Sequence, residues 1–449
     1  MLRENWETLS PAEKLNARFD DLKTAPGIQF ASPKVEQAYR ERIQLFQDAI
    51  QLARPRRVPI HLHIGFYPIK YAGFTPEEAM YDYDKLGRAL KKFNADFMPD
   101  ALASSMIPGP GKTFELLDLQ LYRWPGHGVA PTASYQCVET EYMREDEYDL
   151  LIADPTGYFL RYYLPRIFSS LGAWHKVAPL TDLMELPFMG ANLAFIGSPE
   201  VQQAFEKFLQ AGRAALEWMK ACGAINNASV ATLGLAPLLG GFTKAPFDTL
   251  GDTLRGTRGI MLDKFRRPDK VLAACERLVP IAIEMGVRSS NGGRKPAVTI
   301  PLHKGADGFM SDKDFRTYYW PTLKAMILGL VNEGVVPLLF VEGSYNQRLD
   351  VIADSGIPKG TTWWMFDKTD MQQAKKKFGS WACIGGNVPV SLLAAGEPGQ
   401  VSDYVKRLID DAAHDGGFVL STGAVVDDCR PENLHAMIET GREYGVYHG

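Results

Sequence analysis

The sequence predicts an α/β protein with a TIM-like (β/α)8 barrel, an N-terminal helical extension and a large insertion. Three observations indicate this fold. Short apolar runs alternate with amphipathic helical patterns through the second half of the chain. Polar residues and glycines follow those runs, as at the active end of an α/β barrel. Two helical patterns precede the first strand. An open, doubly wound sheet is the alternative.

Composition limits the class of protein. The chain has 449 residues, of which 46% are hydrophobic and 23% charged, enough for one large domain with insertions or for two domains. A net charge of −4 argues against a general nucleic-acid-binding protein. Five cysteines without a C-x-x-C pair favour a reduced, cytoplasmic setting over a disulfide framework.

Neither a signal peptide nor a membrane span is expected. The first residues, Met-Leu-Arg-Glu-Asn-Trp, are polar. The longest apolar candidate, residues 326–341, is interrupted by Asn332 and Glu333, and it does not reach the ~18 residues that span a bilayer. We therefore expect a soluble protein that acts on a small molecule.

Residues 1–57 are predicted to form a helical cap. Ser10-Pro-Ala-Glu13 is a capping box with proline at the first helical position. Ser32-Pro33 opens a second helix, and its apolar face holds Val35, Tyr39, Ile43, Phe46 and Ile50.

The barrel domain is predicted over residues 58–449. Its first strand covers 58–63, and Thr75-Pro-Glu-Glu78 caps the following helix. Residues 95–98 are predicted to be a second short strand that ends before Pro99 and Asp100. Residues 104–184 are irregular and are predicted to be an insertion over the mouth of the barrel, meaning the carboxyl end of its strands.

The middle of the chain predicts one more strand and a long helix. Residues 186–191 are taken as the third strand. Ser198-Pro199 then opens an amphipathic helix whose apolar stripe is Val201, Phe205, Phe208, Leu209, Leu216 and Met219. Gly212 interrupts this stripe, which predicts close packing of a neighbouring element there.

The alternation of strand and helix is clearest towards the C-terminus. Strands are predicted at 297–302, 335–341, 362–366, 382–384 and 418–420, with helices after them that include one capped by Ser311. The last unit is a strand, a polar loop and a helix that Pro431 opens and Gly445 ends. Counted generously, eight strand–helix units result.

The C-terminal half resembles the uroporphyrinogen decarboxylase superfamily. The matching stretches are Gly251-Asp-Thr-Leu-Arg-Gly-Thr-Arg-Gly259, Gly308-Phe-Met-Ser-Asp-Lys-Asp-Phe315, Gly385-Gly-Asn-Val-Pro-Val390 and Pro431-Glu-Asn433. The resemblance implies a TIM barrel, a homodimer, and either porphyrin decarboxylation or zinc-dependent methyl transfer. The methyltransferases of this superfamily work with corrinoid proteins, coenzyme M or aryl methyl ethers.

The signature residues of both activities differ here. The decarboxylases carry arginines after the first strand, where this chain has His61-Leu-His63-Ile-Gly-Phe-Tyr67. Their Gly-His-Gly is replaced by Ser421-Thr422-Gly423, whereas their key aspartate matches Asp100. The His-x-Cys-Gly of the coenzyme M methyltransferases is replaced by Phe340-Val-Glu-Gly343, and Thr422 stands where they have a second cysteine.

Four residues are candidates for catalysis or metal binding. His61 and His63 alternate on a strand, so both point to one face, where they would bind a metal or move protons. The alternative is that they are buried and satisfied by other groups. Asp100 follows a predicted strand end and, by the resemblance, would stabilise a cationic intermediate. Glu342 would bind zinc or act as a general acid, or else pair with Arg348.

Three further residues are candidates for substrate binding. His303 and Asp307 follow the strand at 297–302, and a solvated loop is the equally weighted alternative. Tyr67 ends the stretch after the first strand.

The leading hypothesis is a metal-assisted methyltransferase that moves a methyl group between a small donor and a corrinoid protein, with zinc as the possible metal. The alternatives are a decarboxylase of a tetrapyrrole or another carboxylic acid, and a non-catalytic protein that binds a corrinoid or tetrapyrrole.

Overall fold

The computed structural model describes residues 5–447, so residues 1–4 of the predicted cap and 448–449 of the predicted barrel domain lie outside the described residues. The helices of the first half are α1 (Pro11–Lys23), α2 (Pro33–Ile50), α3 (Tyr67–Tyr71), α4 (Pro76–Tyr81), α5 (Tyr83–Phe97), α6 (Gly111–Leu117), α7 (Tyr148–Ala153), α8 (Pro155–Tyr158), α9 (Leu164–Ile167), α10 (Phe188–Leu193) and α11 (Pro199–Leu233).

The helices of the second half are α12 (Pro246–Asp248), α13 (Gly256–Arg266), α14 (Pro268–Gly293), α15 (Asp312–Asp314), α16 (Trp320–Asn332), α17 (Leu349–Ala353), α18 (Met371–Phe378), α19 (Val390–Ala395), α20 (Pro398–Ala412) and α21 (Pro431–Tyr444). Short 3₁₀ turns lie at Trp6–Thr8, Ser169–Lys176, Leu180–Asp182 and Ala194–Gly197, and π-helical turns at Phe159–Tyr163, Thr249–Leu254 and Phe315–Tyr319.

Two sheets are present in the described part of the chain. A small one is made of β1 (Tyr122–Pro125), β2 (Gly128–Val129) and β3 (Gln136–Cys137). The larger sheet is parallel and has six strands in chain order, namely β4 (Leu239–Phe242), β5 (Ala297–Leu302), β6 (Val336–Val341), β7 (Trp363–Phe366), β8 (Cys383–Val388) and β9 (Phe418–Thr422).

Two extended segments close the large sheet into a ring. Residues 59–64 run beside β9 through the bridges Ile60–Leu420 and Ile64–Val426. The amide of Asp100 donates to the Ile60 carbonyl at 3.1 Å, so segment 100–102 continues the ring on the other side. Leu102 then donates to the Ala236 carbonyl at 3.0 Å, just before β4. The eight segments form a TIM-like barrel, which confirms the predicted fold class.

Two of the predicted strands are wrong. Residues 95–98 belong to the end of α5, where Phe93 and Phe97 bury one helical face and Met98 takes a left-handed conformation with φ 48°. The second barrel segment is therefore 100–102, and Asp100 begins it instead of following it. Residues 186–191 overlap α10, and the third strand is β4, whose Leu-Gly-Gly-Phe sequence gives little apolar signal.

The strands predicted towards the C-terminus are confirmed. Strands β5 to β9 lie where apolar runs were recognised, and β6 is buried along its whole length. Such runs are typical of parallel strands that are covered on both faces. Capping boxes at Ser10 and Thr75 also form as predicted.

Side chains alternate between the outer helices and the barrel interior. Leu338, Trp363 and Val419 belong to an inner cluster that also contains Phe46 of α2, and the rings of Phe46 and Trp363 lie 5.9 Å apart. Helices α1 and α2 therefore close the amino end of the barrel, and the carboxyl end is left for polar residues. None of the described helices combines the length and the apolar character needed to cross a membrane.

Candidate functional site

A charged network occupies the carboxyl end of β4, β5 and β6. Its centre is His303, which follows β5. The His303 Nδ1 lies 2.5 Å from Asp252 Oδ2, and its Nε2 lies 3.5 Å from Glu342 Oε1. Burial alone would lower the pKa of His303, but the hydrogen bond to Asp252 and the nearby carboxylate of Glu342 raise it to about 10. His303 is therefore an imidazolium at neutral pH.

Asp252 holds two lysines as well as the histidine. Lys244 Nζ lies 2.9 Å and Lys304 Nζ 3.2 Å from its carboxylate. Burial would raise the pKa of Asp252, but His303 and Lys244 together hold it well below the ordinary range. The network thus carries three cations around one largely buried anion, with Glu342 at its exposed edge.

Asp248 lies behind this network and fixes its backbone. The fully buried carboxylate accepts from the Lys304 amide at 2.8 Å, the His303 amide at 3.3 Å and the Tyr319 hydroxyl at 2.6 Å. Burial and the nearby Asp252 raise the pKa of Asp248 to about 6. A carboxyl group that titrates near neutrality is thereby connected to the two residues that follow β5.

Sequence reasoning missed Asp248, Asp252 and the two lysines. Asp252 lies within the stretch 251–259, which was recognised only as part of the family resemblance. The spacing of four residues between Asp248 and Asp252 is the usable signal, because it brings side chains to one side of a helical turn. Since β4 was not recognised as a strand, the residues after its carboxyl end were not predicted as site residues.

His61 and His63 line the barrel interior below the network. The His61 ring lies 5.2 Å from the Trp363 ring, and the His63 ring stacks on Phe340 at 4.0 Å. Burial, with a smaller contribution from His63, lowers the pKa of His61 to about 3, and burial lowers that of His63 to about 4 in spite of Glu342. Both imidazoles are neutral at pH 7.

The Nδ1 atoms of both histidines are buried without a hydrogen-bond partner among the described residues, and the same holds for Trp363 Nε1 and Ser421 Oγ. The alternative prediction that the histidines would be satisfied by other groups is therefore not met at Nδ1. Unpaired buried polar atoms are costly, so this interior wall offers hydrogen bonds to a small molecule or to water.

The alternative prediction, that Glu342 pairs with Arg348, is wrong. Glu342 pairs with His303. Arg348 is buried and instead donates to the Gly305 carbonyl, while its guanidinium lies 3.5 Å from Asp307 Oδ1. Asp307 also accepts from Ser344 Oγ at 2.8 Å. The known contacts of Asp307 therefore fix the loops after β5 and β6, and its role in substrate binding stays a prediction.

Tyr67 and Asp100 are not brought together with the histidines. Tyr67 is buried in the outer layer, where its ring packs against Phe93 at 6.1 Å. Asp100 lies at the amino end of the barrel, where Arg57 binds its two oxygens at 2.7 and 2.6 Å. The Ile60 amide donates to the same carboxylate at 2.9 Å. A catalytic role for Asp100 stays a sequence-based prediction, and its contacts are those of a buried ion pair.

Part of the insertion lies against this end of the barrel. The Thr257 amide donates to Glu139 Oε1 at 2.5 Å, and Ser134 Oγ donates to Asp427 Oδ2 at 2.6 Å. These contacts bring β3 and the residues around it over the loops after β4 and β9. The network is therefore partly covered, while His303 and Glu342 keep 34% and 43% of their side chains exposed.

The described residues do not fit a protein-bound zinc ion. Structural and catalytic zinc sites use three or four converging nitrogen, sulfur or oxygen ligands. No three histidine, cysteine, aspartate or glutamate side chains converge in this way within residues 5–447. His61, His63 and Glu342 are thus near one another without forming the predicted metal site.

Comparison with known families identifies the C-terminal half. A family model described as Uroporphyrinogen decarboxylase (URO-D) matches residues 212–444, which is just over half of the chain. Among curated proteins, uroporphyrinogen decarboxylase of Salinispora tropica is 25% identical over 219 residues, covering 46% of this chain and 56% of that protein. The enzyme of the same name from Geotalea daltonii is 24% identical over 199 residues, covering 44% and 56%. The chain spans about half the length of these relatives.

Among solved structures, a methyltransferase from Methanosarcina mazei has a similar fold. The TM-score is 0.56 at 14% sequence identity, and the match covers 89% of this chain and 98% of that one. At this identity the likeness concerns the fold alone.

Proposed function

Because this chain belongs to the uroporphyrinogen decarboxylase family, we propose that it is an enzyme that breaks a bond to a one-carbon group at the mouth of its barrel. The observation that supports this most directly is the charged His303. Its Nδ1 is engaged by Asp252, whereas its Nε2 is 3.5 Å from Glu342, longer than an ordinary hydrogen bond. A substrate oxygen can take that proton donor.

We propose methyl transfer from a small O-methylated donor as the reaction. When the carbon–oxygen bond breaks, both bonding electrons remain on oxygen, and the leaving group becomes negative. An imidazolium aimed at this oxygen stabilises the developing charge, and electrostatic stabilisation of this kind contributes more to catalysis in many enzymes than any other single effect. His303 would donate a hydrogen bond to this oxygen.

A corrinoid protein is the proposed methyl acceptor, since a reduced corrinoid supplies a strong nucleophile for methyl groups. Zinc has no part in the proposed step, because His61, His63 and Glu342 do not fit it as they lie. The neutral imidazoles would contact the part of the substrate that enters the barrel, because their Nδ1 atoms have no described partner.

The balance of charge at the mouth favours this reaction over decarboxylation of a polycarboxylate. Lys244 and Lys304 are both held by Asp252, and His303 is shared between Asp252 and Glu342. Each cation of this network is therefore already engaged by a carboxylate of the protein. A substrate with several carboxylates needs cations that are free to bind it.

The test measures methyl transfer to reduced cobalamin from a panel of small methoxy compounds. We expect transfer by the unaltered protein and a loss of about 100-fold or more in kcat for His303→Gln, since a positioned proton donor contributes 10²–10⁴-fold. His414→Gln is the matched control, because His414 is exposed and pairs only with its neighbour Asp415 among the described contacts. Transfer that is equally fast in His303→Gln would refute the proposed role.

Decarboxylation of a smaller acid is the second candidate. It is favoured by Asp248, because a carboxyl group with a pKa of about 6 exchanges its proton near neutral pH, and this one is bonded to the backbone of His303. Release of CO₂ from a monocarboxylic acid, without methyl transfer to cobalamin, would establish this reaction in place of the first.

A further inference from the structure

Lys304 is held by contacts along its whole length. Its amide donates to Asp248 at 2.8 Å, and its Nζ lies 3.2 Å from Asp252 Oδ1 and donates to the Thr257 hydroxyl at 2.6 Å. The stem of the side chain passes Gly251, where a Cβ atom would lie 3.3 Å from the Lys304 Cγ. The side chain is 14% exposed. The ammonium group is therefore fixed in direction as well as in place.

This fixed ammonium group orients the carboxylate of Asp252. The Asp252 Oδ2 binds His303 Nδ1 at 2.5 Å, and its Oδ1 is the atom that faces Lys304. The side-chain amide and carboxylate torsions of proteins are broad, so a carboxylate keeps its plane best when both oxygens are held. His303 follows that plane, because a hydrogen bond weakens steeply as it departs from a straight line. Lys304 therefore affects the direction in which His303 Nε2 points.

Thr257, near the start of α13, connects Lys304 to the insertion. Its hydroxyl accepts from Lys304, and its backbone amide donates to Glu139 Oε1 at 2.5 Å. Hydrogen bonding by Thr257, opposed by burial and assisted by the charge of Lys304, holds the pKa of Glu139 below its ordinary value. Glu139 is therefore an anion at neutral pH. A continuous series of polar contacts leads from the insertion to His303.

Other contacts anchor the insertion beside Thr257. The Met143 amide donates to the Leu254 carbonyl at 2.7 Å, and Arg255 donates in return to the Met143 carbonyl. Arg255 is buried and also donates from its Nε to Asp263 Oδ2 at 2.6 Å. This part of the insertion is therefore fixed to the barrel by contacts that are separate from the series that leads to His303.

The backbone of the insertion touches the barrel at Gly256. There φ is 72°, and a Cβ atom would lie 3.0 Å from the Thr140 carbonyl oxygen. Both facts favour glycine, whose lack of a Cβ lets the two backbones approach and brings Thr257 within reach of Glu139. The family match begins at residue 212, so Glu139 contributes to this end of the barrel from outside the matched stretch.

We propose that Lys304 and Thr257 are positioning residues for His303, and that Glu139 of the insertion fixes them in place. The inference rests on the proposed function, in which the Nε2 proton of His303 binds the leaving oxygen. Lys304 keeps Asp252 in the plane that aims this proton into the mouth of the barrel, and Thr257 keeps Lys304 in that direction. These residues therefore act on kcat, through orientation, more than on KM.

Replacement of the Thr257 hydroxyl tests the proposal. Thr257→Val has nearly the same shape and keeps the amide that binds Glu139, but it cannot accept from Lys304. We expect kcat for methyl transfer to cobalamin to fall about tenfold, with KM changed less than about twofold, because a misdirected catalytic group costs up to about 10²-fold in rate. Thr257→Ser keeps the hydroxyl and should retain the kcat of the unaltered protein.

Two further variants test the other members of the series. Lys304→Met should lower kcat more than Thr257→Val does, again with little change in KM. Glu139→Ala should lower kcat about two- to threefold, because an exposed charge contributes less. Glu145→Ala is the matched control and should not change kcat, because Glu145 lies on the same insertion but pairs with Arg267. Thermal unfolding of each variant checks that the fold is retained.

A spectroscopic signal separates this proposal from the proposed function. The His303 Nδ1 proton takes part in a charge-assisted hydrogen bond to Asp252, so it should give a downfield NMR resonance in protein with isotope-labelled histidine, whether or not a reaction occurs. We expect this resonance to weaken in Thr257→Val and to be retained in Thr257→Ser. That result in a protein without methyl transfer would support the positioning role and reject the proposed function.

Three results would overturn the positioning role and leave the proposed function standing. One is methyl transfer that Thr257→Val does not slow, with its resonance unchanged. Another is an equal loss of kcat in Thr257→Val and Thr257→Ser, because the hydroxyl would then not be the group that matters. The third is a rise in KM alone in Lys304→Met, which would assign Lys304 to substrate binding.

Discussion

The carboxylate of Asp252 controls the charge of His303. It accepts the hydrogen bond at Nδ1, and its negative charge favours the protonated ring. Burial opposes this effect, so without the carboxylate the imidazole would lose its proton more readily. The proton donor of the proposed reaction therefore depends on a residue that need not touch the substrate.

We expect Asp252→Asn to move the alkaline limb of the kcat/KM profile to lower pH by about 1–3 units, because an amide attracts the imidazolium far less. His303 is charged below its pKa, so activity is lost as pH rises through that value. The profile and an NMR titration of the His303 ring measure the shift. Asp354→Asn, a change at an exposed carboxylate, is the control, and an unmoved limb in Asp252→Asn would contradict the role given to Asp252.

His61 should make the fold sensitive to acid. Its pKa in the folded state is about 3, below the ordinary value of 6.5, so the unfolded chain binds a proton more readily. Stability from this group is present above pH 6.5 and is lost as pH falls from there towards 3. We expect His61→Phe to lose less of its free energy of unfolding between about pH 7 and pH 5 than the unaltered protein, as measured by urea unfolding.

His414→Gln provides the comparison for this measurement. Because His414 is exposed, its replacement should leave the acid sensitivity of the fold unchanged. Equal acid sensitivity in His61→Phe and the unaltered protein would mean that His61 is not held neutral by burial.

At the scale of elements, the cap helices and the barrel are joined at the amino end by a buried ion pair. Arg57 precedes the first barrel segment, and Asp100 begins the second. Arg42 of α2 adds a third charge, 3.6 Å from Asp100 Oδ1. This junction fixes the first two segments of the barrel, which have few backbone bonds of their own.

We expect Asp100→Asn to lower the free energy of unfolding by about 3–5 kcal/mol, because it leaves the largely buried Arg57 and Arg42 without their counter-charge. The kcat of the folded enzyme should not change. Chemical unfolding and an activity assay measure the two effects. The double change Arg57→Met/Asp100→Leu should recover part of the stability, since it removes the Arg57–Asp100 pair and leaves only the charge of Arg42 at this junction. A loss of kcat with stability retained would support the catalytic role predicted from the sequence.

Backbone pairing between neighbouring segments differs in extent around the barrel. Strands β5 and β6 share a continuous register of six residue pairs, whereas segments 59–64 and 100–102 are joined to their neighbours by isolated bridges. Local opening is easier where backbone hydrogen bonds are few.

Hydrogen exchange followed by mass spectrometry should therefore be slowest in β5 to β8 and faster in segments 59–64 and 100–102. The expected order follows from the number of ladder bonds, and α1 and α2 provide an internal reference at the same end of the barrel. Equal protection of all eight segments would contradict this difference.

The difference between long strands and short segments also explains which parts of the barrel could be predicted from the sequence. The strands β5 to β9 are apolar runs because they are covered on both faces, and residues after them, such as His303 and Glu342, were predicted correctly to lie at one end. Segment 100–102 has only three residues and β4 is Leu-Gly-Gly-Phe, so their apolar signal is weak. Because β4 was not predicted, the site residues that follow it were not predicted either.

The family resemblance was confirmed, but it did not predict the network. The pairing of Asp252 with Lys244, Lys304 and His303 joins side chains from the segments after β4 and β5, and no local sequence pattern predicts such a pairing. A neighbouring element was predicted to pack closely at Gly212 of α11, but no described atom lies within 4 Å of a Cβ atom built there.

The pKa values of the barrel histidines are shifted in opposite directions, and the pH therefore affects the stability that they contribute. Protons bind to the interior pair only at the expense of the fold, whereas the proton on His303 supports it. The contribution of these three histidines to stability is therefore largest in mildly acidic or neutral solution; two of them lose it towards acid and His303 loses it towards alkali. A purification buffer near pH 7 should suit it better than one at about pH 5.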